Sequence, residues 1–192
     1  PPPPQKQHHH HRHRHHHYHR QQHPHRQSGR VAAPAPQGRP GGGPRGAARL
    51  SEGEPMQHVL GHAWFDGMAL RVTPDVLIPR PETEELSAWM AQKLADVPHS
   101  APRALDWCTG SGCIALSLKK RVPRAEVHAW DLSAQALSVA RANAENQSCD
   151  LKVGESDLLN ATCPSAPFHL VVSNPPYIPE AECAVMHARV VD

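Results

Sequence analysis

Apolar and polar residues form two different patterns along the 192-residue chain. Up to residue 50 apolar residues are sparse, whereas from residue 58 onward apolar runs recur regularly. Short runs rich in β-branched residues are typical of strands, and longer segments with apolar residues three or four apart are typical of helices. The predicted order is a hairpin at 58–72, an extended stretch at 73–82, a helix at 82–95, a strand at 103–107, a helix at 111–121, a strand at 125–131, a helix at 133–147 and strands at 151–156 and 168–174. Strands that alternate with helices at this spacing predict parallel βαβ units in a doubly wound α/β sheet.

Local signals support several of these elements. Asp66-Gly67 lies between two apolar runs, which is a strong short-range signal for a hairpin. Prolines hold the stretch 73–82 out of a helix, and Ser133 is placed to cap the helix that follows it. In the helix 82–95, one face carries Leu86, Trp89, Met90 and Leu94. The four tryptophans are expected in the core: Trp64, Trp89, Trp107 and Trp130.

Composition separates the first 50 residues from the rest. They hold nine Lys/Arg, no Asp/Glu, 11 of the 17 histidines and nine prolines. The remaining 142 residues carry 11 basic and 18 acidic side chains, a formal net charge of −7. Because a segment with so little apolar content cannot offset the entropy lost on ordering, residues 1–50 are predicted to be a disordered tail. The rest is divided into a linker with the hairpin (51–81) and one α/β domain (82–192).

Composition also narrows the cellular setting. The sequence contains no run of 18 apolar residues, so no membrane span is predicted. No apolar stretch follows the basic start, so a secretory signal is not indicated. The five cysteines are odd in number and show no CxxC spacing, which indicates reduced thiols in an intracellular protein. The acid-free, arginine-bearing start favours the mitochondrial matrix slightly over the cytoplasm. The histidine run could bind metal ions, but nothing fixes its ligand geometry, so no defined metal site is expected.

Candidate chemistry is expected beyond the carboxyl ends of the strands, where open α/β sheets bind ligands. The stretch "DWCTGSGC" (106–113) runs from a strand end through a turn with two glycines into a helix. Gly110 and Gly112 permit the tight turn and let the backbone approach a ligand closely. Since neither GxGxxG nor GxxxxGK[ST] is present, a dinucleotide or nucleoside triphosphate is disfavoured. A ligand with a ribose and no phosphate, such as S-adenosylmethionine, is the alternative.

Two further features belong to the same end of the sheet. Asp131 ends the next strand, where its carboxylate could accept both hydroxyls of a ribose. It could equally cap the following helix beside Ser133, and the sequence leaves both roles open. "SNPPYIP" (173–179) follows an apolar strand, and its prolines cannot continue a sheet.

Five stretches in this order and at this spacing resemble the HemK/PrmC family of protein glutamine N-methyltransferases: "IPRPETEEL", "CTGSGCIALSL", "AWDLSAQALSVARAN", "SDLL" and "SNPPYIP". The resemblance runs from about Pro55 to the end of the chain. NPPY is shared with enzymes that methylate amino groups of DNA, rRNA and tRNA, and "IPRPETEEL" is the discriminating element. Cys108 departs from the family, most members of which have glycine there, although relatives acting on a ribosomal protein share the cysteine.

The resemblance implies a Rossmann-like class I methyltransferase fold that uses S-adenosyl-L-methionine. Against the family plan the chain is C-terminally truncated: it carries the first four strands, lacks the last three and keeps little of the family's helical N-terminal domain. The implied substrate is the glutamine of the GGQ tripeptide in class I peptide chain release factors, and the implied full-length protein is a monomer. Alternatives are amino-methylation of nucleic acid or of a ribosomal protein, or an inactive fragment.

The resemblance also implies the site residues. Cofactor contacts fall on Cys108, Thr109, Gly110, Ser111, Gly112, Asp131, Asp157, Leu158 and Asn174. Catalysis and substrate binding fall on Asn174, Pro175, Pro176 and Tyr177, with Arg80 at the substrate entrance. The Asn174 side-chain oxygen and the Pro175 carbonyl would accept the two N–H bonds of the substrate amide. This would turn the nitrogen lone pair toward the methyl group, so that catalysis consists mainly of positioning. If the sheet follows the family order, the last strand (169–174) is also expected to form an unprotected edge.

Overall fold

The computed structural model describes residues 44–160 and 167–176. In chain order the elements are α1 (Pro44–Ser51), α2 (Met56–Leu60), β1 (His62–Phe65), β2 (Met68–Arg71), α3 (Pro81–Ala95), β3 (Arg103–Trp107), α4 (Cys113–Arg121), β4 (Glu126–Asp131), α5 (Ala134–Asn146), β5 (Lys152–Glu155) and β6 (Leu170–Ser173). The strand β3 occupies the predicted residues, and the other predicted strands and helices of the α/β domain differ from the structure by one to three residues at their ends.

The main sheet has four parallel strands in the order β5-β4-β3-β6. The predicted parallel α/β sheet is therefore confirmed. Among the described strands β6 pairs with β3 alone and lies at the end of the order, as expected for an edge strand, and its Val171 is 52% exposed. The parallel arrangement brings the carboxyl ends of β3, β4 and β6 to one edge of the sheet.

The main core lies between one face of this sheet and the helices α3 and α4. Val127 and Ala129 alternate along β4 and are buried against Ala115 and Leu118 of α4. On the opposite face Trp107, His128, Trp130 and Phe168 meet edge to face, with ring centroids 5.0 to 5.9 Å apart. The alternation of side chains along each strand thus separates an aliphatic layer from an aromatic one.

The hairpin forms where it was predicted, but it is shorter. Asp66 and Gly67 have φ of 49° and 72°, the positive pair that a two-residue hairpin turn requires. The strands pair antiparallel from His62↔Arg71 to Phe65↔Met68. Residues 58–60, which the pattern assigned to the hairpin, belong to α2, which ends at Gly61 with φ of 74°. The left-handed conformation of this glycine ends the helix and starts the first strand.

Three other expectations about the packing were wrong in part. Residues 44–50 of the predicted tail belong to α1, and residues 1–43 lie outside the described residues. In α3 the buried stripe is Ser87, Ala91 and Leu94, whereas Leu86 and Trp89 are 39% and 56% exposed. Leu94 is buried as expected and Met90 packs partly against the core, whereas Leu86 and Trp89 are turned outward and the small Ser87 and Ala91 face α4.

Trp64 was also expected in the core, yet it is 64% exposed. It lies between Ala63 and Phe65, both buried, and successive side chains of a strand point to opposite faces. Trp107 and Trp130 are partly buried in the aromatic layer. No helix in the described residues is long and apolar enough to cross a membrane. The described cysteines Cys108, Cys113 and Cys149 are free thiols.

Candidate active site

The site is built around the turn between β3 and α4, residues 108–112, here called the glycine loop. Its first, third and fifth residues have left-handed backbone conformations, with φ of 63° at Cys108, 53° at Gly110 and 80° at Gly112. Such φ values are unfavourable for a residue with a Cβ, so the cysteine is strained where glycine would be relaxed. A Cβ on Gly112 would lie 3.3 Å from the Ala140 Cβ of α5, so this glycine also permits close packing of loop and helix.

Asp106 is a buried residue that is hydrogen-bonded to the glycine loop. Its Oδ2 accepts hydrogen bonds from Thr109 Oγ1 at 2.6 Å and from the Ala115 amide at 3.1 Å. The side chain is fully buried, and Oδ1 has no hydrogen-bond partner among the described residues. Burial, together with the nearby charge of Asp131 and against the two hydrogen bonds, raises the pKa of this carboxyl to about 6. Asp106 therefore brings a buried acidic group with a free acceptor directly under the loop.

Sequence reasoning did not assign Asp106 to the site. It appears there within the strand 103–107 and as the first residue of the stretch 106–113, without a role of its own. The available signal was its position, since it is the acidic residue that opens "DWCTGSGC" at the end of a buried strand. An acid there is expected to need partners, because a buried carboxylate without hydrogen bonds is costly.

Asp131 links the glycine loop to the turn after β4. Its Oδ2 accepts from the Gly110 amide at 2.9 Å, and its Oδ1 accepts from the Ser133 amide at 3.0 Å. The cap of α5 is the Ser133 hydroxyl, which accepts from the Ala136 amide at 3.2 Å. Capping is thus the role of the serine, and Asp131 orders the two loops. A carboxylate has about four acceptor positions, so two remain for ligand hydroxyls.

Asn174 lies beside the first residue of the glycine loop because the strands before them, β6 and β3, pair with each other. Ser173 is opposite Trp107, and the Ser173 hydroxyl donates to the Trp107 carbonyl at 2.7 Å. The residues that follow these two, Asn174 and Cys108, therefore leave from neighbouring strand ends. The exposed Pro175 and Pro176 come next, and Tyr177 lies outside the described residues.

A cleft joins three parts of the chain that are far apart in sequence. It is lined by Leu77, Ile78, Pro79 and Arg80, here called the Arg80 segment, by Thr83, by residues 108–111 of the glycine loop with Cys113 and Ile114, and by Asn174. Arg80 is exposed at the end of its segment, directly before α3. The structure thus brings together the predicted substrate entrance, the predicted cofactor turn and the predicted catalytic asparagine.

Asp157 and Leu158 are not among the residues that line this cleft. They follow β5, which is next to β4, and the Ser156 amide donates to the Asp131 carbonyl at 2.9 Å. The Asp157 carboxylate accepts from Asn160 Nδ2 at 2.6 Å and from the Leu159 amide at 2.8 Å, and these bonds hold its pKa below the usual range. Both residues therefore lie near the same edge of the sheet, with Asp157 occupied in a local turn.

The two thiols at the cleft are not activated. Burial raises the pKa of Cys108, although the Ser173 hydroxyl opposes the shift, and burial raises the pKa of Cys113 to about 12. Since the thiolate is the reactive form, both groups stay protonated and unreactive at neutral pH. Within residues 44–160 and 167–176, no cluster of three or more His, Cys, Asp or Glu could hold a metal ion.

Comparison with known proteins shows which family the chain resembles. The family model described as "Methyltransferase small domain" matches residues 83–190, more than half of the chain. A "Release factor glutamine methyltransferase" of Bacteroides thetaiotaomicron is 44% identical over 145 residues, which are 75% of this chain and 51% of that protein. Its namesake from Chlorobaculum tepidum is 45% identical over 147 residues, covering 72% of this chain and 50% of that protein. The chain spans about half the length of the curated relatives it matches.

Among solved structures, a tRNA (uracil-54, C5)-methyltransferase of Pyrococcus abyssi in complex with S-adenosyl-L-homocysteine matches with a TM-score of 0.49 and 19% identity. The match covers 67% of this chain and 30% of that one.

Proposed function

Since the chain belongs to the methyltransferase small domain family, we propose that the protein transfers a methyl group from S-adenosyl-L-methionine to the side-chain amide nitrogen of a protein glutamine. The substrate proposed is the GGQ glutamine of a class I peptide chain release factor. Support for this substrate comes from relatives that are 39 to 46% identical and carry the name release factor glutamine methyltransferase.

The residues at the glycine loop suit S-adenosylmethionine. When bound, this cofactor supplies a methyl group activated by a positively charged sulfonium. Asp131 keeps acceptor capacity for the ribose hydroxyls, and the buried Oδ1 of Asp106 has no partner among the described residues. Two carboxyl groups at the loop favour a positively charged ligand. Gly110 exposes the loop backbone at the cleft, because nothing lies within 4 Å of where its Cβ would be.

The Asn174 loop would supply the chemistry on the substrate side. A carboxamide nitrogen is a weak nucleophile because its lone pair is delocalised into the carbonyl. Acceptance of its two N–H bonds by the Asn174 side-chain oxygen and the Pro175 carbonyl would turn the lone pair toward the methyl group. Pro175 and Pro176 stiffen this loop, so that binding orders little additional backbone. The same proposal has Tyr177 pack against the planar amide and exclude water.

The single observation that carries the proposal is the convergence of the Arg80 segment, the glycine loop and Asn174 on one cleft. A methyl acceptor entering past Arg80 would meet Asn174 beside the loop that holds the cofactor. Amino-methylation of nucleic acid is less well supported, because residues 51–192 carry a formal net charge of −7. A monomeric full-length protein and a location in the mitochondrial matrix stay predictions.

The test is methyl transfer by the full-length natural protein from radiolabelled S-adenosylmethionine. Label should enter a release factor that contains GGQ and should not enter the same factor changed to GGA. An Asn174→Ala enzyme is the matched control for transfer by a contaminating activity. Labelling of tRNA, DNA or a ribosomal protein with an inert release factor would contradict the proposed substrate.

A further inference from the structure

Asn143 is a buried amide whose hydrogen-bonding groups are all used between separate parts of the chain. It lies on α5 and is 0% exposed. Its Oδ1 accepts from the Arg71 amide at 2.7 Å. Its Nδ2 donates to the Arg71 carbonyl and to the Ser111 carbonyl, both at 2.9 Å. The orientation of the amide is unambiguous, because the Arg71 amide can only donate and the two carbonyls can only accept.

One partner of Asn143 lines the cleft, and the other ends the strand that leads into a segment of its lining. Ser111 is in the glycine loop, where it lines the cleft. Arg71 ends β2, and the chain runs from there to the Arg80 segment, which also lines the cleft. A single side chain therefore bonds the loop that faces the cofactor and the strand that leads to the substrate entrance.

Two neighbours of Asn143, Ala140 in α5 and Gln147 directly after it, hold the same two parts in place. Ala140, one turn before Asn143, packs against Gly112, where a Cβ would come within 3.3 Å. Gln147, one turn after Asn143, donates to the Ala69 carbonyl of β2 at 3.1 Å. Positions 140, 143 and 147 share one helical face. Of the three, Asn143 is the one with hydrogen bonds to both the strand and the loop.

We propose that Asn143 is a positioning residue that couples the Arg80 segment to the glycine loop. Displacement of Arg71 would pull on the carbonyl of Ser111 through one rigid amide, so the position of the glycine loop depends on that of the strand end that leads into the Arg80 segment. Binding of the cofactor at the loop would thereby set the position of the substrate entrance. This inference rests on the proposed function, since it assumes that the loop binds S-adenosylmethionine.

The first experiment compares cofactor affinity in three versions of the full-length protein by calorimetry with S-adenosylmethionine. Asn143→Ala should weaken binding by roughly 10-fold, because the Ser111 carbonyl loses a buried donor and the loop loses its link to β2. Gln147→Ala is the matched control, since it removes a bond from α5 to β2 and leaves the loop bond intact. Its affinity should match that of the unchanged protein.

The outcomes separate this inference from the proposed function. If the unchanged protein does not bind S-adenosylmethionine, the proposed function and the coupling both fail. If it binds and Asn143→Ala binds equally well, only the coupling is wrong. Equal weakening by Asn143→Ala and Gln147→Ala would mean that the face merely stabilises the fold, which would also overturn the coupling.

A second experiment uses the unchanged protein, so it tests the coupling even if Asn143→Ala does not fold. Hydrogen exchange of the unchanged protein is measured by NMR with and without S-adenosylmethionine. Binding at the loop should slow exchange of the Arg71 amide several-fold, because this amide donates to Asn143 Oδ1. The Ala125 amide, which donates to the Val122 carbonyl after α4, is the reference. An Arg71 amide that responds no more than Ala125 would refute the coupling.

Discussion

Replacement of Asp106 by asparagine should change how stability depends on pH. In the folded protein burial raises the pKa of this carboxyl to about 6, against a value of 3.8 for an unperturbed aspartate. The native state therefore binds the proton more tightly than the unfolded chain does. Protonation of Asp106 therefore increases the free energy of unfolding as the pH falls from 6 toward 3.8, and it contributes nothing well above pH 6. Asparagine keeps an oxygen for the Thr109 and Ala115 bonds but has no carboxyl to titrate.

The size of the effect follows from the two pKa values. A shift of about two units corresponds to roughly 3 kcal/mol for full protonation. Between about pH 7.5 and about pH 5, proton linkage gives a gain of about 1.4 kcal/mol in the free energy of unfolding for the aspartate protein alone. Other groups oppose this trend in both proteins. The pKa of Asp66, for example, is lowered by its bonds to Arg121 and Ser117 against the effect of burial.

The measurement is the free energy of unfolding of both proteins from denaturant titrations at the two pH values. The difference between them, aspartate minus asparagine, should be more positive by about 1.4 kcal/mol at the lower pH, and contributions of the other groups cancel. Asp150→Asn, at an exposed carboxyl, controls for the loss of one negative charge. A difference that is the same at both pH values would refute the argument that burial raises the pKa of Asp106.

Three further changes probe the site. Asn174→Ala should leave the affinity for S-adenosylmethionine nearly intact while kcat falls by roughly 10²–10³, by analogy with the loss of one oxyanion-hole donor, and unchanged turnover would mean that this loop is structural. Asp131→Ala should weaken cofactor binding by about 1.5–3 kcal/mol in calorimetry, and an unchanged Kd would remove this carboxylate from the site. Gly112→Ala should destabilise the fold by about 1–3 kcal/mol and more than Gly110→Ala, because only its Cβ meets Ala140 at 3.3 Å, whereas Gly110 faces open space. Equal unfolding midpoints for the two alanine variants would contradict that difference.

Local signals were sufficient for most of the secondary structure. The hairpin turn at Asp66-Gly67, the Ser133 cap and the strand 103–107 all formed at the predicted residues. The turn and the cap depend on backbone preferences or on bonds between residues close in sequence, and the strand was visible as a short apolar run, although its hydrogen bonds go to distant strands. Local signals do not determine which face of a helix or strand is buried, because that depends on what packs against it. Trp89 and Trp64 are therefore exposed despite their size.

The sequence by itself determined the parallel α/β sheet, the glycine turn, and the presence of Asp131 and Asn174 at strand ends. Only the tertiary structure decided which of these residues meet. The pairing of β6 with β3 brings Asn174 to the glycine loop. The importance of the buried Asp106 and Asn143 is visible only in the folded structure, because packing decides which groups they bond. A polar side chain becomes informative when folding removes it from water and forces it to find partners, and a linear pattern does not show which groups will be nearby.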